Sequence, residues 1–298
     1  MDLFNRLLVI IFITILFPAT SSQAALKTIS GKPDGLVWAG CGITKKAFMK
    51  ELAIAYEKKT GVKIELQGGG ATRGIRGVQS GEINFGGACR SANEFSDKER
   101  FVKQIPIAWD AIVFMVNKSN PLENVTLDQV RGIYEGRITN WKQLGGNDAP
   151  IELYVRKSPI SGVGQTLREL VFPDNENGFT SRAHVVKSTG PAEKAVEKLA
   201  NAFTASGISS ARRRDVKILK IHGVEPSYET IKDGSYMLYR PLYIVTHVVE
   251  TNPLVNAFVE FAFSDEGTAI IRKTGTVPFT DALNLLSKQF DQNSRIAK

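Results

Sequence analysis

Apolar and polar positions along this chain follow two periods in alternation. Val62, Ile64 and Leu66 alternate with Lys63 and Glu65, the period of a half-buried strand. Ahead of them Phe48, Leu52, Ala55 and Tyr56 fall on one helical face, and Gly61 closes that helix. Residues 74–79 read as a short helix and 83–86 as a short strand. Residues 105–116 form a long apolar stretch broken once, by Asp110. A carboxylate buried there needs a partner. It is expected either to pair where two lobes meet, or to serve the ligand as an acceptor or by orienting Arg73 or Arg156. Thr126-Leu127-Asp128-Gln129 is a capping box that opens a helix. Residues 151–155 are a strand running into Arg156, 191–201 a helix, and 216–221 a strand. Ser264 caps a helix over 265–273, with Gly275 beyond it. Trp109 and Trp141 are expected in the core. Alternating strands and helices imply an α/β fold.

The N-terminus has a different pattern. Arg6 precedes an unbroken apolar run over 7–17, and Ser22-Gln23-Ala24 fits a small-x-small cleavage site. This is the signature of a secretory signal peptide over 1–24. The run is shorter than the ~20 residues a membrane span needs. The mature chain is then expected to be exported, soluble and periplasmic. Its roughly 270 residues suit two lobes better than one. The lobes are expected at 25–116 plus 240–298 and at 117–239, with crossings at Asn117-Lys118-Ser119-Asn120-Pro121 and Tyr239-Arg240-Pro241.

The hydrophobic share of 43% is that of a globular protein with real cores. A net charge of +8 asks for an anionic partner. The basic residues are scattered, and the one dense cluster, Arg212-Arg213-Arg214, is read as a solvated loop or partner contact. Export and scatter together argue against nucleic acid and for a small anion. Three glycine-rich turns agree: Gly40-Cys41-Gly42-Ile43-Thr44, Gly68-Gly69-Gly70-Ala71-Thr72-Arg73-Gly74 and Ser161-Gly162-Val163-Gly164-Gln165-Thr166. Each places small residues, bare N–H groups and a hydroxyl at a helix N-terminus. That end carries unpaired donors and the positive pole of the helix dipole.

These turns belong to a larger pattern. The chain resembles the PstS-like phosphate-binding proteins of ABC importers from about Gly40 to Phe279. The resemblance rests on Gly68–Gly74, on Gly81-Glu82-Ile83-Asn84-Phe85-Gly86-Gly87-Ala88-Cys89-Arg90, and on Ile138-Thr139-Asn140-Trp141-Lys142-Gln143-Leu144-Gly145-Gly146. Val224-Glu225-Pro226, Tyr239-Arg240-Pro241-Leu242-Tyr243 and the segment ending Thr276-Val277-Pro278-Phe279 extend it. It implies two mixed-sheet α/β lobes of the type II-like periplasmic binding proteins, joined by hinge strands and closing on one anion. It also implies four ligand loops: Gly42, Ile43, Thr44 and Lys45; Ala71, Thr72 and Arg73; Ala88, Cys89 and Arg90; and Arg156 with Ser161 and Gly162. Thr44 and Thr72 would donate hydroxyl hydrogen bonds, unless Thr44 only caps its helix. Arg156 would offer the planar fork that suits an oxyanion.

The departures from that family qualify the ligand. Its phosphate binders usually carry a carboxylate in the third loop, which accepts the proton of phosphate and repels sulfate. Here Cys89 stands there, followed by Arg90, which can only donate. The fourth loop, from Arg156 to Thr166, is longer than usual. The second has Ala71 where a serine hydroxyl is common, and Lys45 stands where the family tends to be apolar. The two cysteines, Cys41 and Cys89, both fall in ligand loops. They are expected to form a disulfide, to act as a dithiol receptor for a thiophilic species such as trivalent arsenic, or to be inert small residues. His184, His222 and His247 show no ligand spacing with them, so neither a metal nor a cofactor is expected, and no enzyme. The expected function is capture of a phosphate-like oxyanion for an ABC permease, by a monomer. The alternative is presentation of an oxyanion, such as arsenite, to the ectodomain of a sensor histidine kinase.

Overall fold

The computed structural model describes residues 35–172 and 179–288. The signal peptide expected over 1–24 lies outside them.

The described residues build a ten-stranded mixed sheet in the order β2-β1-β3-β11-β4-β8-β6-β7, with β9 and β12 also paired to β4. The first half begins with β1 (Leu36–Gly40), β2 (Ile64–Gln67) and β3 (Phe85–Ala88). Both β2 and β3 run parallel to β1, and parallel neighbours need crossover helices. The first is α1, which runs from Gly42–Thr44 through one wide π-helical turn, Lys45–Met49, into Lys50–Thr60. Phe48, Leu52 and Tyr56 are buried on its inner face, and Gly61 ends it in a left-handed conformation. The second is α2 (Gly70–Gln79). It starts four residues ahead of the helix read from the sequence, because Gly69 and Gly70 take φ of +124° and +86° and turn the chain into it.

The long strand β4 (Val102–Val116) joins the two halves. Over Val102–Ala111 it pairs antiparallel with β11 (Tyr239–His247), and over Ile112–Val116 with β8 (Ala202–Gly207). The exchange of partners falls between Ala111 and Ile112. Tyr239-Arg240-Pro241 lies against that exchange, opposite Ala111, Asp110 and Trp109, whereas Asn117 to Pro121 follows the end of β4.

In the second half β5 (Asn124–Val125) leads to α3 (Leu127–Glu135), opened by a capping box in which both reciprocal bonds are made. Next come β6 (Glu152–Arg156), α4 (Gly162–Val171), β7 (His184–Val186) and α5 (Thr189–Lys198). Strands β7 and β8 both run parallel to β6. After β8 comes the single turn α6 (Ile208–Ala211). The strand expected over 216–221 is two short ones. β9 (Lys217–Ile218) pairs with β4, and β10 (Lys220–Ile221) pairs with β5. The chain then passes through α7 (Tyr228–Lys232), returns along β11, and ends in α8 (Pro253–Phe263), α9 (Asp265–Lys273) and β12 (Val277–Pro278).

Each half has its own aromatic core. Tyr56, Phe85, Phe258 and Phe261 pack in the first, with Tyr56 and Phe258 edge to face at 5.2 Å. Phe114, Tyr134, Trp141 and Phe203 pack in the second, with Phe114 stacked on Phe203 at 5.7 Å. Trp109 is a core residue, stacked on Phe279 at 5.1 Å. The mixed α/β architecture expected from the sequence is therefore the one found.

Candidate functional site

The fold puts six strand ends at one place. β1, β2 and β3 in one half and β6, β7 and β8 in the other are parallel sets, and ligands of open α/β sheets bind outside such C-terminal ends. A cavity of about 650 Å³ lies there. Its wall takes Cys41, Gly42 and Ile43 from the start of α1, and Gly68 to Thr72 from the start of α2. It takes Ser161, Gly162 and Val163 from α4, and Ser188, Thr189 and Gly190 from α5. Four helix N-termini thus face one space. Side chains cap two of them: Cys41 Sγ accepts from Thr44 N, and Ser161 Oγ accepts from Gly164 N. The N-termini of α2 and α5 have no side-chain cap, so their first N–H groups are open to an anion.

The charges in the wall are Lys45, Lys46, Arg76, Arg156 and Lys187 against one carboxylate, Glu193. Glu193 is fully buried, and its oxygens accept from Ser206 Oγ at 2.6 Å, Ser210 Oγ at 2.5 Å and Arg214 Nε at 2.9 Å. Burial works against its charge, and the two hydroxyls with Lys46 and Arg214 outweigh burial, so its pKa is lowered. Arg76 is paired with Glu99 at 2.8 Å. Arg156 is different. Its Nη1 donates to Thr189 Oγ1 and its Nη2 to Lys187 O, both at 2.9 Å, while its buried Nε has no partner. Among the described residues no carboxylate pairs with it. Burial pulls its pKa down, which marks a cation held short of solvent.

The structure therefore brings together ten of the residues picked out from the sequence. Cys41, Gly42, Ile43, Lys45, Ala71, Thr72, Cys89, Arg156, Ser161 and Gly162 all line the cavity. Four others stand outside its wall, the first of them Ala88, buried at the end of β3. Thr44 is buried and gives its hydroxyl to Cys41 O at 2.9 Å, which is the helix-start role. Arg73 turns outward to Glu82 at 2.8 Å and to Gln67 and Gly68. Arg90 is buried in a two-pronged pair with Glu99, at 2.8 and 2.9 Å. Burial opposes the Glu99 charge, but Arg90, Asn93 N and Arg76 hold its pKa down to about 2. Arg90 also donates to Thr72 Oγ1 at 3.2 Å, so it positions a cavity residue. The sequence reading missed Lys46 and the Lys187-Ser188-Thr189-Gly190 turn, although glycine with a hydroxyl at a helix start was the signal used for the other loops.

Asp110 proves to be a paired residue at the exchange point of β4. Its Oδ1 accepts from Ser209 N at 3.0 Å and Ser209 Oγ at 2.6 Å, and its Oδ2 from Arg240 Nη2 at 3.2 Å. Arg240, 3% exposed, also donates to Cys89 O at 3.0 Å and Gly162 O at 3.3 Å. One guanidinium therefore ties the third loop, the start of α4 and the middle strand. Gly207 is required beside it, since a Cβ there would lie 2.5 Å from Asp110 Oδ2.

Cys41 and Cys89 are free, buried thiols on adjoining loops, with Cys41 N donating to Gly87 O at 3.2 Å, two residues ahead of Cys89. The expected disulfide is not what the structure shows. Burial pushes Cys41 up, but the bonds from Cys89 and Thr44 and the charge of Arg240 bring its pKa down to about 7. The hydrogen bond to Cys41 and burial push Cys89 well up. Cys89 Sγ is covered by α4: a Cβ on Gly162 would lie 2.3 Å from it.

The model of the PBP superfamily domain matches residues 18–266. The phosphate-binding protein PstS of Borreliella burgdorferi is 26% identical over 251 residues, 81% of this chain and 89% of that one. A solved structure from Clostridium perfringens, described as a phosphate ABC transporter substrate-binding protein with bound phosphate, aligns with a TM-score of 0.75 at 29% identity. It covers 82% of this chain and 99% of its own. An ABC-type phosphate transport receptor from Vibrio cholerae aligns with a TM-score of 0.63 at 25% identity, covering 82% and 100%. The two-lobed architecture fits these relatives, and the chain belongs to the PBP superfamily and is similar to its PstS phosphate-binding proteins.

Proposed function

We propose that this chain is an exported solute-binding protein that captures a phosphate-like oxyanion between its lobes and delivers it to an ABC importer. The observation that carries the reading is the meeting of four helix N-termini, two without side-chain caps, around an arginine that has no carboxylate partner among the described residues. N–H groups and helix dipoles supply diffuse positive potential, and Arg156 supplies a fork that matches a tetrahedral oxyanion. Contacts already cross the cleft: Thr72 Oγ1 donates to Ile160 O at 3.3 Å, and Lys46 Nζ to Ser210 Oγ at 2.6 Å. An anion held from both walls would add to them, which is how a ligand favours a closed state.

The relatives whose names say phosphate make phosphate the first candidate. Selectivity is expected to differ from theirs. Glu193 and Asp110 both have their oxygens engaged, and Cys89 occupies the third loop, so among the described residues no carboxylate at the cleft is free to test an anion for a proton. Calorimetric titration of the mature protein with phosphate, arsenate, sulfate and molybdate tests the reading. Phosphate should bind with one site per chain, and sulfate should compete measurably. A folded protein that binds none of the four refutes it. Tight phosphate binding with complete rejection of sulfate would leave capture standing and require another proton acceptor.

A further inference from the structure

We propose that Cys41 and Cys89 form a dithiol subsite in the floor of the cleft that takes a trivalent oxyacid of a thiophilic element, with arsenous acid as the probe. The proposal rests on the cleft being the ligand site, and its test keeps the two readings apart.

The two sulfurs are the chain's only ones outside methionine, and both line the cavity. Cys41 N donates to Gly87 O at 3.2 Å, two residues ahead of Cys89, so the two lie on adjoining loops, and they are not bridged. Neighbouring thiols are the donor pair that a soft trivalent centre requires. Both lie at helix starts, Cys41 as the residue that caps α1 and Cys89 against Gly162, the first residue of α4. The start of α1 favours thiolate, the coordinating form, at Cys41, while Cys41 and burial hold Cys89 as the thiol. Cys41 reaches that form near neutral pH, with a pKa of about 7.

The charge around the pair selects the class of ligand. Soft metal cations also bind two thiols. Here, however, the approach is lined by Lys45, Lys46, Arg156 and Lys187 and by four positive helix ends, which repel a cation. Among the described residues no group of three His, Cys, Asp or Glu side chains could hold a metal ion. An uncharged oxyacid pays no such penalty, and its remaining hydroxyl would face the N–H groups of the anion cradle. The reaction balances without an oxidant. Two As–S bonds form and two As–OH bonds break. Each departing hydroxyl takes one thiol proton and leaves as water, and arsenic stays trivalent. Cys89 is 1% and Cys41 6% exposed in this closed arrangement. The cover over Cys89 belongs to the opposite lobe, so parting the lobes uncovers it.

The test uses the reduced mature protein. It is incubated with arsenite and desalted, and its arsenic content is measured. Iodoacetamide labelling is followed by intact mass, and phosphate binding is titrated separately on the same protein. One arsenic per chain and protection of both thiols are expected. Cys41→Ser or Cys89→Ser should each weaken arsenite binding by at least ~100-fold, about 2.7 kcal/mol. Circular dichroism checks that the variants fold, and the protection experiment needs no variant. Arsenite binding undiminished in either variant overturns the proposal, as does a wild-type protein whose two thiols label at the same rate with and without arsenite. A bridge that resists the reductant overturns it too. Phosphate binding without arsenite binding would sink the dithiol site alone and spare the oxyanion reading. Arsenite binding without phosphate binding would do the reverse.

Discussion

Replacing Arg156 by alanine removes a cation that the fold holds against the cleft by two bonds, to Thr189 Oγ1 and Lys187 O, both 2.9 Å. Neither partner is charged, so in the empty cleft the guanidinium is desolvated without an ion pair to compensate. Burial lowers its pKa for that reason. Its removal should therefore cost the unliganded fold little, under about 1 kcal/mol, the range of ordinary substitutions away from core packing. The liganded state is another matter. A hydrogen bond to a charged group contributes roughly 1.5–3 kcal/mol, and Arg156 offers its partnerless Nε together with the remaining N–H bonds of its fork. Loss of one such contact corresponds to roughly a 10- to 150-fold weaker Kd. Titration calorimetry with phosphate at fixed ionic strength measures this directly, with urea unfolding as the control for the fold. Arg156→Lys should recover the charge but not the fork, and should fall between alanine and wild type. A phosphate Kd for Arg156→Ala within twofold of wild type would remove the residue from the site and, with it, the main cation of the proposed cradle.

Three further outcomes follow from buried contacts. Asp110→Ala strands Arg240 in the core and should cost about 3–5 kcal/mol, a fall in Tm of roughly 6–20 °C for a chain of this size; a change under 2 °C by calorimetry would show the pair to be dispensable. Gly162→Ala drives a methyl to 2.3 Å from Cys89 Sγ and should destabilise by about 1–3 kcal/mol, seen as a lower urea midpoint; an unchanged midpoint would mean that the start of α4 does not rest on that sulfur. The thiol pair predicts a pH window: Cys41 loses its proton near 7 when folded and near 9 when unfolded, so the unfolded chain binds more protons between those values. Stability should rise across that window and turn over above it, where Cys89 stays protonated only in the folded state. The rise should vanish in Cys41→Ser.

How much of this was legible in the sequence depends on how each element is buried. Helix α1, strand β2 and helix α3 each have one wet face, so their period shows. Strand β8 reads Ala202-Phe203-Thr204-Ala205-Ser206-Gly207 and is buried on both faces, so it carries no alternation and could not be read. The same holds for β11, whose Tyr239–Thr246 stretch is nearly all buried; its first residues were recognised only as a crossing. Strand β4 was visible as an apolar run, but the point where it changes partners leaves no mark except Asp110. There the carboxylate is explained by geometry, since it meets Arg240 from β11 and Ser209 from α6.

The site divides along similar lines. Loop glycines and hydroxyls announce helix starts wherever they occur, so most of the cradle was readable. What sequence cannot give is the direction of a long side chain. Arg73, Arg90 and Arg156 all follow ligand-loop positions, and only Arg156 points into the cavity. The difference lies in their carboxylates. Glu82 and Glu99 are supplied within the first lobe, each nine residues along the chain from the arginine it neutralises. Beside Arg156 the second lobe supplies only a threonine hydroxyl and a carbonyl. An arginine with a nearby acid is structural here, and the one without is the one we propose for the ligand. The same logic explains Arg240. With Asp110 against its charge at Nη2 and Cys89 O and Gly162 O accepting from Nη1, it joins the lobes, and its charge, unlike that of Arg156, is met by a carboxylate.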